Sequence, residues 1–181
     1  MAIKTVARLY DTYEAASTVV QKLEASGIPD DDISVVANNA NGRVKRDVGN
    51  EAAPGAEIGA GVGAVAGGGA GVLAGLGMLA IPGVGPVVAA GWLVALAVGA
   101  VGGAAAGGLI GGLVGSGISK EHAEVYAEGV RRGGTLVMVR GPEEALRRVE
   151  AILDSGAVNP SVRRAAYRSA GWTGHNPDAP I

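Results

Sequence analysis

The sequence predicts an α+β fold that is interrupted by a long apolar insertion, and three observations support this prediction. Short β-prone segments alternate with amphipathic helical segments at both ends of the chain. Residues 5–28 resemble residues 135–157 in their order of strand, cap and helix. Between them, residues 58–119 carry no charged side chain. A doubled β-α-β unit is the ferredoxin-like pattern, here β-α-β followed by α-β-α-β, with the helices on one face of a four-stranded antiparallel sheet.

The first half of the predicted domain, with a following loop, occupies residues 1–55. Residues 4–10 alternate in side-chain polarity and are of types that favour strands, which predicts the first strand. A helix is predicted over residues 13–25, and a second strand over residues 33–37. Residues 38–55 are polar and predict a loop. The residues that mark the helix are its caps, Asp11 or Thr12 and Gly27, and its apolar face, Ala16, Val19, Val20 and Leu23.

The second half of the domain is predicted over residues 119–165. Ser119 is suited to cap a helix that ends near Gly133. A third strand follows over residues 135–140, and Pro142 opens a second helix. A last strand is predicted over residues 158–165. The buried face of the second helix is marked by Ala145, Val149, Ile152 and Leu153.

The resemblance between the two halves is an internal repeat. Residues 5–28 align on residues 135–157, strand on strand and helix on helix. The repeat predicts that the two helices share one face of the sheet. The helix positions that coincide are Ala16 with Ala145, Val20 with Val149, and Leu23 with Ile152.

The apolar insertion, residues 56–118, is predicted to be a long Gly/Ala-rich helical hairpin between the second and third strands. Its arms, 58–80 and 87–118, each exceed the roughly 20 residues that span a bilayer. They are joined by residues 81–86, where two prolines and two glycines end one helix and begin the next. Small residues at a spacing of four give each arm a face that another helix can approach closely. These two ladders are Gly59, Gly63, Gly67, Gly71 and Gly75, and Gly91, Ala95, Gly99, Gly103, Gly107, Gly111 and Gly115.

Such a hairpin has to be enclosed, because each glycine weakens an isolated helix in water by about 1 kcal/mol relative to alanine. One alternative encloses it in lipid with sister hairpins, which places the hairpin in the cytoplasmic membrane and the α+β domain in the cytoplasm. The other is a soluble cytoplasmic oligomer whose interior consists of sister hairpins alone. The expected partner is therefore a further copy of the chain and, in the first alternative, a lipid bilayer. Trp92 would then mark depth in the bilayer.

Composition argues against several classes of function. The chain has no cysteine, which excludes disulfides, thiolate metal sites and a thiol nucleophile. A formal net charge of -2 predicts no basic surface for nucleic acid. No pair of carboxylates and no serine in a nucleophile-elbow context points to catalysis. We therefore expect a protein that is not an enzyme, with no cofactor, no metal and no identified small-molecule ligand.

One predicted helix face is rich in carboxylates and raises the question of a metal site. Such a site needs histidine and carboxylates three or four residues apart, and His122 is followed by no carboxylate at either spacing. The sequence instead predicts a solvated face on which Glu128 pairs with Arg131 or Arg132. The carboxylates are Glu121, Glu124 and Glu128.

The C-terminal tail, residues 166–181, is predicted to be irregular. It contains Tyr167 and Trp172 close to three arginines of the same region. An aromatic and basic segment suits a membrane interface, but tryptophan and arginine are also favoured anchors of subunit contacts. We favour the subunit contact and assign Trp172 to it. The arginines are Arg163, Arg164 and Arg168.

Three segments resemble a known family. They are SGIP at residues 26–29, EVYAEGVRRGGTLVMVR at residues 124–140 and SAGWTG at residues 169–174. Together with the long Gly/Ala-rich block, they resemble bacterial heat-induced or general stress proteins of the YflT type. The resemblance implies a stress-responsive bacterial protein whose biochemical activity is not established, and it carries over no catalytic residue. The glycine-rich insertion goes beyond the minimal domain of that family.

The function predicted from the sequence is a stress-associated, non-enzymatic protein that assembles with copies of itself. The glycine ladders would form the contacts, either in a membrane-embedded bundle or in a closed oligomer. An alternative is a small-ligand sensor that uses the ferredoxin-like domain, an analogy of fold only. A pore or lipid-remodelling protein is a third possibility, although no polar residue lines either ladder.

Overall fold

The computed structural model describes residues 3–38, 77–81, 84–93 and 108–174, and they form an α+β fold. A short 3-10 turn, Asp30–Asp32, precedes the second strand. The strands are β1 (Ile3–Tyr10), β2 (Ile33–Asn38), β3 (Gly77–Ile81), β4 (Gly85–Ala90) and β5 (Thr135–Pro142). The helices are α1 (Tyr13–Ala25), α2 (Gly108–Gly115), α3 (Lys120–Arg131), α4 (Glu143–Asp154) and α5 (Pro160–Ser169).

Capping side chains set the starts of three helices. The Thr12 hydroxyl accepts a hydrogen bond from the backbone N–H of Ala15 at 3.2 Å, and that of Ser119 accepts one from His122 at 3.4 Å. The predicted starts of α1 and α3 are therefore confirmed. Asn159 caps α5 in the same way, and Pro160 occupies its first turn.

The predicted last strand over residues 158–165 is wrong. Only Val158 is extended beside the sheet, where its N–H donates to the carbonyl of Leu9 at 2.8 Å. Asn159 and Pro160 then start α5, because a capping side chain followed by proline favours a helix at once. Helix α5 runs across the boundary predicted between residues 165 and 166.

The five strands form one antiparallel sheet in the order β1-β5-β2-β4-β3. Strand β5 pairs with β1 from Ile3↔Pro142 to Tyr10↔Thr135, and its other edge pairs with β2. Strands β1 and β2 are consecutive and joined by α1, yet β5 lies between them. Strands β4 and β3 come from the apolar insertion and extend the same sheet beyond β2.

The two helices of the repeat share one face of this sheet, as predicted, but α3 lies on the opposite face, so the helices do not all lie on one face. Helices α1 and α4 pack on one face, called here the α1/α4 face. Helices α2 and α3 pack on the other, the α2/α3 face. Alternate residues of β5 belong to the two clusters, which explains why this strand is a nearly continuous apolar run. Leu136 and Met138 belong to the α2/α3 face, and Val137 and Val139 to the α1/α4 face.

Strand pairing and helix packing support the internal repeat but correct its helix alignment. Strands β1 and β5 are neighbours, and α1 and α4 lie on the same face. Thr5 and Thr135 lie 130 positions apart, and the buried helix residues keep this spacing. The predicted alignment of Ala16 with Ala145 was one residue out of step. The matching buried residues are Ala16 with Leu146, Val19 with Val149, and Leu23 with Leu153.

The predicted helical hairpin is wrong at residues 77–81 and 85–90, which form strands. Residues 77–80 of the first arm belong to β3, and residues 87–90 of the second arm belong to β4. The second arm is helical at its end, in α2, but stops at Gly115. Strands β3 and β4 pair with each other, which satisfies the hydrogen bonds of their backbone groups. Short apolar segments are compatible with such a β-hairpin as well as with a helix.

The location predicted for the insertion is also corrected. Within the described ranges, no helix is both long enough and apolar enough to cross a bilayer. The prediction of a hairpin embedded in the cytoplasmic membrane is therefore wrong. The described parts of the insertion instead contribute two strands and a helix to the α+β domain.

Candidate functional site

The most organised polar site surrounds Glu128, in the last turn of α3. Its side chain is only 4% exposed, and no other charged residue of the described chain is buried. Arg131 binds this carboxylate with two nitrogens, at 2.8 Å from Nε and 2.7 Å from Nη2. Nε of Arg132 donates to the same carboxylate at 2.5 Å. Glu128 and these two arginines, with Tyr167 and Trp172, are called here the Glu128 cluster.

The aromatic side of the cluster comes from the C-terminal segment. The guanidinium of Arg132 lies 4.6 Å from the ring centroid of Tyr167, within the range of a cation–π contact. Trp172 meets the same ring edge-on, with the centroids 5.9 Å apart. Its backbone N–H donates to the carbonyl of Tyr167 at 2.9 Å. The cluster thus joins the end of α3 to the end of α5.

Two further ion pairs connect α5 with the rest of the domain. Arg163 pairs with Asp11 at 2.6 Å, and Arg164 pairs with Glu121 of α3. The side chains of Asp11 and Glu121 are 66% and 62% exposed. Exposed ion pairs of this kind contribute little, about 0.2–1 kcal/mol each.

The electrostatics of the cluster keep Glu128 ionised. Burial alone would raise the pKa of its carboxyl, but hydrogen bonds and charge from Arg131 and Arg132 outweigh burial and lower that pKa below 4.5. Burial also raises the pKa of the Tyr167 hydroxyl. A carboxylate saturated by two guanidinium groups is poorly suited to exchange protons near neutral pH. This arrangement can hold two helices together.

The resemblance motif of residues 124–140 maps onto this cluster and onto the close packing of α3. A Cβ on Gly129 would lie 2.3 Å from Cδ2 of Leu9. A Cβ on Gly134 would lie 2.9 Å from the backbone oxygens of both Gly129 and Tyr10. These glycines let the end of α3 approach β1 closely. The motif therefore has a structural explanation that requires no ligand.

The structure partly corrects the solvated face predicted on α3. The pairing of Glu128 with Arg131 and Arg132 is confirmed. The exposure predicted for Glu128 is wrong, because this end of α3 packs closely against the sheet and is flanked by α5. In the described ranges, no group of three or more histidine, cysteine, aspartate or glutamate side chains could hold a metal ion.

The glycine ladders are only partly placed. Gly59, Gly63, Gly67, Gly71 and Gly75, with Ala95, Gly99, Gly103 and Gly107, lie outside the described residues. Gly111 and Gly115 belong to α2, and both are exposed. The buried residues of α2 are Leu109 and Leu113. The described end of the second ladder therefore faces away from the domain.

Gly91 does not belong to a helical ladder, and its prediction as one of the contacts of such a helix is wrong. It directly follows β4 and has φ 86°, a left-handed conformation that favours glycine. A Cβ at this position would lie 2.1 Å from the backbone oxygen of Ile33. Gly91 is thus required where the chain leaves the sheet against the start of β2.

The two tryptophans contact residues of their own chain. Trp172 packs on Tyr167, so its predicted role in a subunit contact stays a prediction. The guanidinium of Arg140 lies 5.4 Å from the ring centroid of Trp92, and its Nε donates to Asp32 at 2.9 Å. Trp92 also packs against the core of the α2/α3 face, which leaves its predicted role as a depth marker without support.

Sequence reasoning did not find the Glu128 cluster as a unit. It found the pairing of Glu128 from helical spacing, and it recognised the basic and aromatic character of the C-terminal segment. It did not place them together, because α5 was read as a strand and an irregular tail. The pair Asn159-Pro160 is the signal that would have predicted α5.

Comparison with known proteins gives a match for the first part of the chain. No curated protein and no solved structure matches it. Residues 5–82 match the family described as "Heat induced stress protein YflT domain". The match includes β1, α1 and β2, whereas the resemblance motifs at residues 124–140 and 169–174 lie outside it. Residues 5–82 are therefore similar to the heat-induced stress protein domain of the YflT family.

Proposed function

We propose that the chain is a stress-associated, non-enzymatic protein that assembles with copies of itself through the outer face of α2. The family domain at residues 5–82 supports the association with stress. The observation that carries self-association is this outer face, formed by Gly111, Val114 and Gly115. All three residues are exposed, Val114 by 43%, and α2 has no charged side chain.

The glycines of this face have no evident role within one copy of the domain. A Cβ built on Gly111 or Gly115 would meet nothing within 4 Å. Glycine inside a helix costs about 1 kcal/mol relative to alanine, so alanine at these positions would stabilise an isolated copy. Contact with a partner helix would explain the glycines, because small residues four positions apart allow two helices to approach closely.

Substitutions on this face test the proposal. Gly111→Leu and Gly115→Leu add bulk where the single copy has room, so each variant should stay folded but lose the partner. We expect light scattering to give a mass above 17.8 kDa for the unmodified chain and a mass near that of one copy for each variant. Circular dichroism and the melting temperature should show the fold retained.

A matched control places the same side chain elsewhere. Ala165 is exposed on α5, outside the proposed contact. Ala165→Leu should therefore leave the mass unchanged. If the unmodified chain is a single copy at all concentrations, or if the Gly→Leu variants keep its larger mass, the outer face of α2 is not a contact.

We also infer that the domain is an elaborated ferredoxin-like unit. The insertion of β5 between β1 and β2 supports this inference, since the first β-α-β unit is split in the same manner in that pattern. The contact of Val158 with Leu9 stands where a fourth strand would pair. Strands β3 and β4 and the helices of the α2/α3 face are the additions.

A further inference from the structure

Helix α5 is attached to the domain differently from the other helices. Tyr167 is its only buried residue, whereas four residues of α1 and seven of α3 are buried. Val162 is 67% exposed. Apart from Tyr167, burial of side chains therefore contributes little to the attachment of α5, and polar contacts have a larger share in it than in the attachment of α1 or α3.

The two ion pairs that α5 makes with other elements have exposed carboxylates. Arg163 reaches Asp11, and Arg164 reaches Glu121, and both carboxylates are more than half exposed. Salt screens such pairs. A further contact is the cation–π stacking of Arg132 on Tyr167, to which Arg163 adds from 6.0 Å.

Detachment of α5 leaves the buried charge of the cluster paired. Both arginines that bind Glu128 belong to α3 or follow it directly, so the carboxylate keeps them when α5 moves away. Removal of one partner from a buried ion pair is costly, but no buried ion pair is broken here.

Two buried donors next to α5 favour its detachment. Arg164 Nε and Trp172 Nε1 are buried and have no hydrogen-bond partner in the described part of the chain. A buried donor without a partner costs free energy that hydration recovers. Opening would expose both groups to water.

From these observations we propose that residues 159–174, called here the C-terminal strap, detach from α3 as a unit when salt screens their ion pairs, while the sheet and the other helices stay folded. The strap begins directly after Val158, whose N–H is bound to Leu9 and fixes its first end. Such local opening is the behaviour expected of an element with few buried apolar contacts. The strap is thus a conformational device that responds to ionic strength.

Tryptophan fluorescence tests the strap directly, because the chain has only two tryptophans. In Trp92→Phe, Trp172 is the sole reporter, and in Trp172→Phe the reporter is Trp92, which packs against the core. Salt is raised from about 0.01 M to about 1 M, over which the Debye length falls from about 30 Å to about 3 Å. We expect the emission of Trp172 to shift to the red and become quenchable by acrylamide. The emission of Trp92 should not change.

Charge variants identify the contacts responsible. Arg163→Met and Arg164→Met should each raise the open fraction at low salt by about two- to five-fold. Arg147→Met and Arg148→Met are the matched controls, since each removes an exposed ion pair within α4 and should leave the open fraction unchanged. Hydrogen exchange on the unmodified chain should show loss of protection in α5 at a salt concentration that leaves β5 protected.

Three results would overturn the proposal. The first is a Trp172 emission that does not respond to salt. The second is a common transition for both tryptophans, which would report unfolding of the whole domain. The third is an equal effect of the α5 variants and the α4 controls, since the Arg163 and Arg164 pairs would then have no special part in the attachment.

Discussion

On the α1/α4 face the helices meet the sheet through branched aliphatic side chains, such as Val20, Leu23 and Leu153. On the α2/α3 face, α3 meets it through Ala123, Ala127 and Gly129. Branched side chains hold a helix away from the sheet and bury apolar area between them. Small residues bring the helix backbone closer to the sheet. The buried carboxylate of Glu128 lies at the end of the same helix.

One sheet can therefore be covered by two kinds of packing that are weakened by different substitutions. The α1/α4 face depends on the volume of its aliphatic side chains, which truncation reduces. The α2/α3 face depends also on glycines at close approaches and on one buried ion-pair cluster. Each face has one tyrosine hydroxyl bound to a backbone carbonyl, Tyr10 to Leu153 at 2.5 Å and Tyr126 to Ala7 at 3.1 Å. Polar anchoring is therefore common to both faces.

The largest effects are expected from truncation of one fully buried leucine on each face. Leu23 of α1 and Leu113 of α2 are both 0% exposed. Leu23→Ala and Leu113→Ala should each lower the free energy of unfolding by about 2–5 kcal/mol, through lost burial and the cavity left behind. Urea unfolding measures both values. A far smaller loss for Leu113→Ala would mean that α2 is not a full part of the core, and Leu113→Met is the volume-matched control.

The next effect concerns two glycines with the same backbone conformation. Gly27 has φ 87° and nothing within 4 Å of a built Cβ, whereas Gly91 has φ 86° and the Ile33 oxygen at 2.1 Å. Gly27→Ala should cost about 1–2 kcal/mol for the left-handed conformation alone. Gly91→Ala should cost about 2–4 kcal/mol, because β2 or β4 must also shift. Equal losses in thermal unfolding would show that the close approach at Gly91 is relieved without cost.

The last effect concerns the buried carboxylate of Glu128 and appears in the pH dependence of stability. The folded-state pKa of Glu128 lies below 4.5, so the unfolded chain binds its proton at a higher pH than the folded chain does. The stability that Glu128 contributes is therefore complete above about pH 5 and is lost as pH falls through the folded-state pKa. Glu128→Gln should cost about 1–3 kcal/mol at neutral pH and flatten the loss of stability below pH 4.5.

The exposed residue Glu143 provides the control for this experiment. The hydrogen bond and charge of Lys4 lower the pKa of its carboxyl as well, but solvent screens the pair. Glu143→Gln should therefore change the pH dependence less than Glu128→Gln does. Urea unfolding at several pH values measures both variants. A larger change for Glu143→Gln would show that burial does not increase the contribution of Glu128 to stability.

Much of the α1/α4 face could be predicted from the sequence, because its elements carry local signals. The alternation in β1, the Thr12 cap and the apolar spacing of α1 predicted these elements almost to the residue. Strand β5 and helix α4 were recognised as their repeat. The one-residue error in the helix alignment arose because Ala145 and Ile152 flank the buried positions Leu146 and Leu153 and are also apolar.

The added strands could not be predicted in the same way. Strands β3 and β4 are short, uncharged and apolar. Their sequences lack the alternation of polar and apolar residues that would distinguish a strand from a buried helix. The signal that was available is the run of residues 81–86 between two short apolar segments, which also fits a β-hairpin. The burial of Glu128 could not be predicted either, because it depends on close packing at the end of α3 and on α5, elements distant in sequence.

The register between β1 and β5 has a consequence for the symmetry of the domain. Thr5 faces Arg140 while Thr135 faces Tyr10, so positions that correspond in the repeat exchange places across the pair. The two β-α halves are thus related by a local two-fold rotation whose axis passes between Ala7–Arg8 and Val137–Met138. The pair of strands β1 and β5 therefore has the geometry of a symmetric dimer interface, but within one polypeptide. Each side chain along it has a rotational counterpart, and substitutions at such paired positions can measure how far the two halves have diverged.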